Sequence, residues 1–265
     1  MIQMKQAKLV KKLFDSLKIL NQREYFHRLG PKTYKFFDHV FTLLLKEAMN
    51  SSFRRISKLL NNLGFHVPSY SALCKSRKRI PVYLWQRLLK LTAGLSSGRV
   101  AIDGTGFSKS NPSFHYLKRI DGSNPRNYTK LSALLDLETK KFLMMRIRTT
   151  PRHDMQDVKY LLKRVNDVKM FYGDSGYDAE WLHEMCYWSG VQTYIPPRKN
   201  VRLRKFRGKQ MKNWDKKEYN LRSNVESGFS AIKRKYGGTV RARKIEGMRA
   251  EILLKGIAHN LELTS

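Results

Sequence analysis

The sequence predicts an α/β protein in which an all-helical N-terminal region precedes a mixed five-stranded sheet flanked by helices. Two observations support this prediction. Apolar residues recur at helical spacing up to about residue 96, whereas from residue 99 onward short apolar runs alternate with helical segments. A short Gly/Ser stretch, AGLSSG at 93–98, separates the two patterns. We therefore expect one domain at 1–96 and a second at 97–265.

The N-terminal region has the pattern of a helical DNA-binding domain. Gly64 interrupts one helical segment, and Ser69 is a natural N-cap for the next, which reads SYSALCKSRKRI. Two short helices around a glycine-containing turn are typical of a helix-turn-helix, and Lys75 and Arg77 on the second helix are suited to contact DNA. A plain helical bundle with a solvated basic face is the alternative. The expected helices are 8–20, 34–48, 53–60, 69–80 and 82–91.

The second region alternates between strand and helix patterns. Two apolar runs joined by a tight polar turn at 138–140 predict a hairpin, which follows a first short strand. Helices and strands then alternate to the C-terminus, an order typical of a mixed α/β sheet. The predicted strands are 99–103, 128–137, 142–148, 168–173 and 191–195, and the predicted helices are 155–165, 179–189, 219–233 and 247–263.

The charge of the chain points to a polyanionic partner. Lys and Arg number 53 against 21 Asp and Glu, which gives a net charge of +32. Such a chain would repel itself without an anionic partner, and double-stranded DNA is the expected one. An anionic membrane surface and a ribosomal role are alternatives. The sequence has no long apolar run and no signal-peptide pattern, so we expect no membrane span and a cytoplasmic location with the nucleoid.

The strongest local concentration of positive charge lies between residues 198 and 217. This stretch has ten basic residues and a single acid, Asp215, and few branched apolar residues. We predict a basic loop that contacts DNA. A solvated disordered loop is the alternative. The residues expected to bind DNA here are Arg202, Arg204, Lys205 and Arg207.

Three acids are candidates for catalysis. Asp103 and Asp174 each end a predicted strand and are followed by small residues, where a side chain can leave the core and the backbone lets a ligand approach. If their strands are adjacent and parallel, the acids lie about 5 Å apart. Carboxylates so close favour hard divalent ions, Mg²⁺ or Mn²⁺, and two ions would form a phosphoryl-transfer site with Glu226 as a further ligand. Singly, each Asp could be an ordinary turn or cap residue.

A late segment, YNLRSNVESGFSAIK at 219–233, places charged residues on one stripe if it is helical. Tyr219, Arg222, Glu226 and Lys233 fall within about 60° of one another at helical spacing. A carboxylate that binds a metal beside a phosphodiester needs such cationic neighbours. An ordinary charged helix face is the alternative.

Together these segments resemble the DDE transposases of bacterial and archaeal insertion sequences, in particular the group with a Tyr-Arg-Glu-Lys signature. The signature spacing Y-x2-R-x3-E-x6-K is met by Tyr219, Arg222, Glu226 and Lys233. The segments AIDGTGFS and YGDSGYDAEWLH provide the other two motifs, and the His153–Asp154 pair matches the family pattern. The resemblance covers about residues 97–260.

The resemblance implies an RNase H-like core with strand order 3-2-1-4-5. It also implies that Asp103, Asp174 and Glu226 are catalytic and bind two metal ions. Tyr219, Arg222 and Lys233 would hold DNA, and a homodimer would act on two DNA ends. The interval from Asp174 to Glu226 leaves no room for the large β-rich insertion of some relatives, so a compact member is expected.

The expected activity is metal-dependent cleavage and transfer of DNA strands by an insertion-sequence transposase. An RNase H-like nuclease that cuts without joining and a catalytically decayed DNA-binding protein are the alternatives. Two residues have less defined roles: Asp154 is a natural helix cap, and His153 is typical of a hydrogen-bonding loop residue.

Overall fold

The computed structural model describes residues 2–26, 28–30, 32–110, 119, 128–150, 152–203 and 205–264. None of the helices in this part of the chain is both long and apolar enough to span a membrane.

The chain forms two compact units that interleave along the sequence. The first contains residues 1–92, 107–129 and 232–265, and the second contains residues 93–106 and 130–231. The strand that begins at Arg99 and the helix that follows residue 222 each contribute to both units. The division into functional domains at about residue 96 stays a prediction, because compactness does not assign function to either part.

The first unit is mainly helical. Ser52 and Ser69 cap two of its helices through hydrogen bonds that their hydroxyls accept from Arg55 N (3.2 Å) and Ala72 N (3.4 Å), as expected from their side chains. Gly64 ends the preceding segment at φ 82°, a conformation that glycine adopts without strain. The elements are α1 (Ile2–Ile19), α2 (Phe36–Ala48), α3 (Phe53–Asn62), α4 (Tyr70–Arg79), α5 (Val82–Ala93), β6 (Thr239–Val240) and α11 (Ile245–Glu262).

Helix α11 forms the centre of this unit. Every residue from Gly247 to Leu261 except Arg249 is buried, which is the pattern of a helix surrounded by protein. Two charged residues of α11 are among those buried, and each has partners. Glu251 accepts hydrogen bonds from Arg241 N and Ala242 N, and Lys255 donates to the carbonyls of Gly237 and Thr239.

The second unit is built on the sheet. Strands lie in the order β3-β2-β1-β4-β5, the order that the family resemblance implies, and β6 adds a sixth strand against the far end of β1. Strands β2 and β3 are antiparallel, whereas β1, β4 and β5 are parallel. The strand bounds are β1 Arg99–Lys109, β2 Tyr128–Asp136, β3 Phe142–Arg148, β4 Met170–Tyr172 and β5 Gln192–Tyr194.

Helices cover this sheet and close its core. Apolar residues of β1, β2 and β4, among them Ile102, Leu134 and Phe171, pack with Val158 and Leu182 of two helices. The helices are α6 (Met155–Leu162), α7 (Glu180–Trp188), α8 (Lys205–Met211), α9 (Lys216–Asn220) and α10 (Ser223–Tyr236), with a 3-10 turn at Ser175–Tyr177.

Three of the sequence-based boundaries that were wrong concern the predicted functional segments. Strand β1 does not end at Asp103, because its later residues Ser108 and Lys109 pair with β6. The segment 198–217 is not a loop throughout, since α8 lies within it. The predicted helix 219–233 is two helices, α9 and α10, joined by a turn at Leu221 and Arg222.

Candidate active site

Asp103 and Asp174 occupy matching positions on neighbouring parallel strands. The register of β1 and β4 pairs Ala101 with Tyr172, and each acid lies two residues farther along its own chain. Parallel strands are spaced by about 4.8 Å, so continuing this register places the acids side by side. The condition set by the sequence, that their strands be adjacent and parallel, is met.

Backbone amides orient both carboxylates. Gly104 N donates to Asp103 Oδ1 at 2.7 Å, and Gly176 N donates to Asp174 Oδ1 at 2.8 Å. The bond from Gly176 closes a short turn after Asp174, whereas the bond from Gly104 lies within β1. In both cases a backbone amide that follows the acid orients one of its oxygens. Asp174 thus has the turn-capping role that was the alternative interpretation, and it has this role at the position expected of a catalytic acid.

The ionisation of Asp103 reports on its surroundings. Burial raises the pKa of Asp103, and the negative charges of Asp174 and Glu226 raise it further. The Gly104 amide and the Arg222 guanidinium oppose this shift without cancelling it. Asp174 and Glu226 therefore lie close enough to influence Asp103, and all three acids belong to the second compact unit.

Helix α10 holds Glu226 in its first turn, where the helix dipole favours a negative charge. The helix packs closely on the sheet because Gly228 has no side chain. A Cβ at Gly228 would lie 2.9 Å from Leu135 Cδ1 and 3.2 Å from Phe142 Cζ. One residue later, the Phe229 ring stacks on Phe142 with centroids 5.7 Å apart.

Arg222 bridges two of the three acids. Its Nη2 contacts Glu226 Oε1 at 2.5 Å, and its Nη1 lies 3.6 Å from Asp103 Oδ2. The Arg222 and Asp103 side chains are 19% and 18% exposed, whereas the Glu226 side chain is 56% exposed. In this conformation a guanidinium provides the positive charge between these carboxylates.

The carboxylates of the site are suitable ligands for a hard cation, although their arrangement in this structure is not that of a metal site. Three carboxylates offer the oxygen ligands that Mg²⁺ and Mn²⁺ prefer. Among the described residues, no group of three or more His, Cys, Asp or Glu side chains has the geometry of a metal site. The Glu226 carboxylate contacts the Arg222 guanidinium instead.

A fourth acid, Asp154, lies beside the strand of Asp103. A Cβ at Gly104 would lie 2.8 Å from Asp154 Oδ1, so the glycine permits this approach. Asp154 makes no side-chain cap for α6, contrary to the expectation, because its carboxylate pairs with Lys130. His153 accepts a 3.4 Å hydrogen bond from Met155 N, as expected of a loop residue.

Two comparisons with known proteins bear on this arrangement. The family model described as the transposase DDE domain matches residues 95–261. The chain belongs to the transposase DDE domain family. The cryo-electron-microscopy structure of the piggyBac transposase synaptic complex with hairpin DNA is similar to this chain, with a TM-score of 0.51 and 12% identity. The similarity covers 96% of this chain and 70% of that one, and at this identity it shows the fold alone. No curated protein matches this DDE transposase chain.

In the DDE transposase, the helix that contains the signature residue Tyr219 is held in place by the neighbouring Glu218, which the sequence did not single out. Its carboxylate accepts a 2.9 Å hydrogen bond from Tyr172 on β4 and pairs with Arg99 on β1. These contacts fix α9 against the sheet, and with it Tyr219, whose ring lies 5.7 Å from that of Trp214. In the sequence, the one hint of this role was that Glu218 is an acid directly before the signature residue Tyr219.

The predicted DNA-binding residues of segment 198–217 differ in their contacts. Arg202 and Lys205 are exposed, whereas Arg207 is buried and pairs with Asp178 at 2.7 Å and Glu180 at 3.2 Å. Arg204 lies outside the described residues. The contacts of Arg207 explain the helix found here, because they tie α8 to the residues that follow the 3-10 turn.

The remaining predicted DNA-binding residues belong to the first unit of the transposase. Lys75 is exposed on α4, whereas the Arg77 side chain is 11% exposed and lies 3.7 Å from the buried Glu251. Lys233 lies over the Phe107 ring at 5.6 Å from its centroid. Residues 63–69 connect α3 and α4, a longer connection than the three or four residues of a typical helix-turn-helix.

Proposed function

We propose that this DDE transposase catalyses metal-dependent cleavage of DNA strands at the ends of an insertion sequence and joins those ends to a target. The main support is the register that places Asp103 beside Asp174 on neighbouring parallel strands. The effect of Glu226 on the ionisation of Asp103 adds the third acid.

In this proposal Asp103, Asp174 and Glu226 are the catalytic residues and the metal ligands. Two bound divalent ions, Mg²⁺ or Mn²⁺, would activate the attacking water or DNA 3′-hydroxyl and stabilise the leaving oxygen. The amides of Gly104 and Gly176 hold one oxygen of each Asp in a fixed direction. Fixed carboxylates of this kind lose little conformational entropy when they bind a ligand.

Exposed cations would hold the DNA backbone. Arg202, Lys205 and Lys75 are exposed, and we assign them to phosphate contacts together with Tyr219 and Lys233. Arg77 and Arg207 were expected in the same role, but their pairing with Glu251 and with Asp178 supports structural roles instead. As DNA contacts, Arg77, Arg204 and Arg207 stay predictions.

The partner proposed here is double-stranded DNA, both the element ends and the target. The region 1–96 would bind the ends, and the region 97–265 would contain the chemistry. We propose that two copies act together as a homodimer on DNA, since two ends must be processed. A protein that acts on chromosomal DNA would be located in the cytoplasm, with the nucleoid.

Replacement of Glu226 by Gln tests the catalytic assignment. With a linear duplex that contains the DNA flanking the gene and with Mg²⁺ present, we expect strand cleavage to fall at least about a thousandfold. Duplex binding, measured by fluorescence anisotropy, should persist. Glu184→Gln is the matched control, because Glu184 is an exposed acid on α7 of the same unit. Cleavage by Glu226→Gln at the rate of the control would remove Glu226 from the site.

A strand-transfer assay separates this proposal from the alternatives. A transposase should join pre-cut ends to a target plasmid, whereas a nuclease with the same core should cut without joining. A decayed DNA-binding protein should bind the ends and do neither.

A further inference from the structure

One side chain of the signature makes contacts that differ from the phosphate contact expected of it. The Arg222 guanidinium touches Glu226 Oε1 and lies 3.6 Å from Asp103 Oδ2. Its side chain is 19% exposed, so the charge is partly removed from water. Both contacts are to acids of the proposed catalytic set.

We propose that Arg222 is a placeholder cation that occupies the carboxylate pocket before metal and DNA arrive, and that metal binding displaces it toward a DNA phosphate. This inference rests on the proposed function, because it takes Asp103 and Glu226 to be metal ligands. It adds a positioning role for Arg222: its side chain leaves the carboxylates and binds a DNA phosphate when metal and DNA bind.

Electrostatics provides the reason for a placeholder. Three nearby carboxylates repel one another unless a positive charge lies among them. The guanidinium can fill this role with two separate N–H groups, one toward each acid. A divalent ion would compete for the same oxygens, so Arg222 and the metal cannot both have their full set of contacts.

The backbone on both sides of Arg222 is anchored, so its side chain can change position without a movement of the flanking helices. Glu218 anchors α9 through Tyr172 and Arg99, while Gly228 and Phe229 anchor α10 on the sheet. Between these helices, Arg222 N donates to Tyr219 O, and Val225 N donates to Arg222 O, both at 3.0 Å. A released guanidinium would have a phosphate as its natural partner, because it binds phosphate and carboxylate oxygens with the same geometry.

The first test measures metal binding without DNA. Mn²⁺ is titrated into the full chain and the free ion is followed by electron paramagnetic resonance. We expect Arg222→Gln to bind Mn²⁺ about tenfold more tightly than the unsubstituted chain, because a competing charge is gone. Lys163→Gln, at an exposed lysine that follows α6, removes one charge elsewhere in the same unit and should change nothing. Equal or weaker binding by Arg222→Gln would overturn the proposal.

Two further variants separate the possible failures. Arg222→Lys keeps a positive charge, so its Mn²⁺ affinity should stay below that of Arg222→Gln; equal affinities would contradict the charge explanation. Asp103→Asn should weaken Mn²⁺ binding. If it binds as the unsubstituted chain does, the metal is not held by these acids, and the proposed function fails rather than the placeholder role alone.

A chemical measurement on the unsubstituted chain covers the case in which Arg222→Gln does not fold. Phenylglyoxal modifies accessible arginines, and peptide mass spectrometry gives the rate at each position. Mn²⁺ should speed modification of Arg222 at least about threefold by freeing its guanidinium. The exposed Arg202 serves as an internal reference and should react at a constant rate. An unchanged or slower reaction at Arg222 would refute the exchange of partners.

Discussion

A single glycine allows Asp154 to approach the strand of Asp103. A Cβ at Gly104 would lie 2.8 Å from Asp154 Oδ1, a distance that requires the carboxylate to move. The same carboxylate pairs with Lys130. Gly104 therefore has two roles, because its amide also orients Asp103.

Replacement of Gly104 by Ala should displace Asp154 and strain the contact with Lys130. We expect a loss of about 1–3 kcal/mol in the free energy of unfolding, measured with urea. The variant Asp154→Ala removes the clashing oxygen. Adding Gly104→Ala to that variant should therefore cost less free energy of unfolding than Gly104→Ala costs in the unsubstituted chain. Additive losses in the double variant would show that the contact is not the cause.

At the residue scale, the sequence shows which side chains are basic, but it does not show which acids they pair with in the fold. Arg77 and Arg207 have the same type of side chain as Arg202, yet each is paired with buried acids. Their partners, Glu251 and Asp178, are distant from them in sequence, and nothing in the local pattern marks these acids as buried. A count of basic residues cannot separate cations that stabilise the fold from those that face solvent, because the difference depends on tertiary contacts.

The element that holds Glu226 depends on one close helix–sheet contact. Gly228 lets α10 approach Leu135 of β2 and Phe142 of β3, both of which are fully buried and have little room to move. A side chain at this position would force either the helix or the packed Leu135 side chain to shift.

Gly228→Val should therefore weaken both the fold and the site. Over-packing of this contact should lower the free energy of unfolding by about 1–3 kcal/mol and weaken Mn²⁺ binding, since Glu226 moves with α10. Urea unfolding and the Mn²⁺ titration measure the two effects. Ser227→Ala, at an exposed neighbour on the same helix, is the control and should be close to neutral. If Val is tolerated as well as this control, the contact does not determine the position of α10.

At the element scale, helical periodicity predicted that residues 219–233 form helix but missed the break within them. Asn220, Leu221 and Arg222 contain no Gly or Pro that would mark an end. The break follows from long-range contacts: Glu218 is tied to β1 and β4, whereas Gly228 is tied to β2 and β3. Local pattern does not include such contacts, so the two anchors are visible only in the structure.

At the scale of the whole molecule, the order of strands and helices predicted a mixed α/β sheet, and the family resemblance implied the strand order that makes Asp103 and Asp174 neighbours. Both acids follow apolar runs in a mixed α/β order, and the parallel β1–β4 register then makes them neighbours. The interleaving of the two compact units was not predicted, because it depends on long-range contacts that divide β1 and α10 between both units. The contact of Arg222 with Glu226 is the i,i+4 pair typical of a charged helix face, which was the alternative interpretation of this segment, whereas its approach to Asp103 depends on tertiary structure and was not predicted.

The net charge of +32 has a measurable consequence for binding of nonspecific DNA. Each phosphate neutralised by Lys or Arg releases counterions, so affinity should fall by roughly a thousandfold or more between 50 and 200 mM salt. If the exposed Arg202 and Lys205 contact phosphates, the double variant Arg202→Gln, Lys205→Gln should reduce the log–log salt slope by about 1.8. Lys159→Gln, Lys163→Gln removes the same charge from exposed positions on and just after α6 and should leave the slope nearly unchanged. Equal changes in both pairs would mean that overall charge, rather than the basic segment beside the signature helix, determines how this transposase holds DNA.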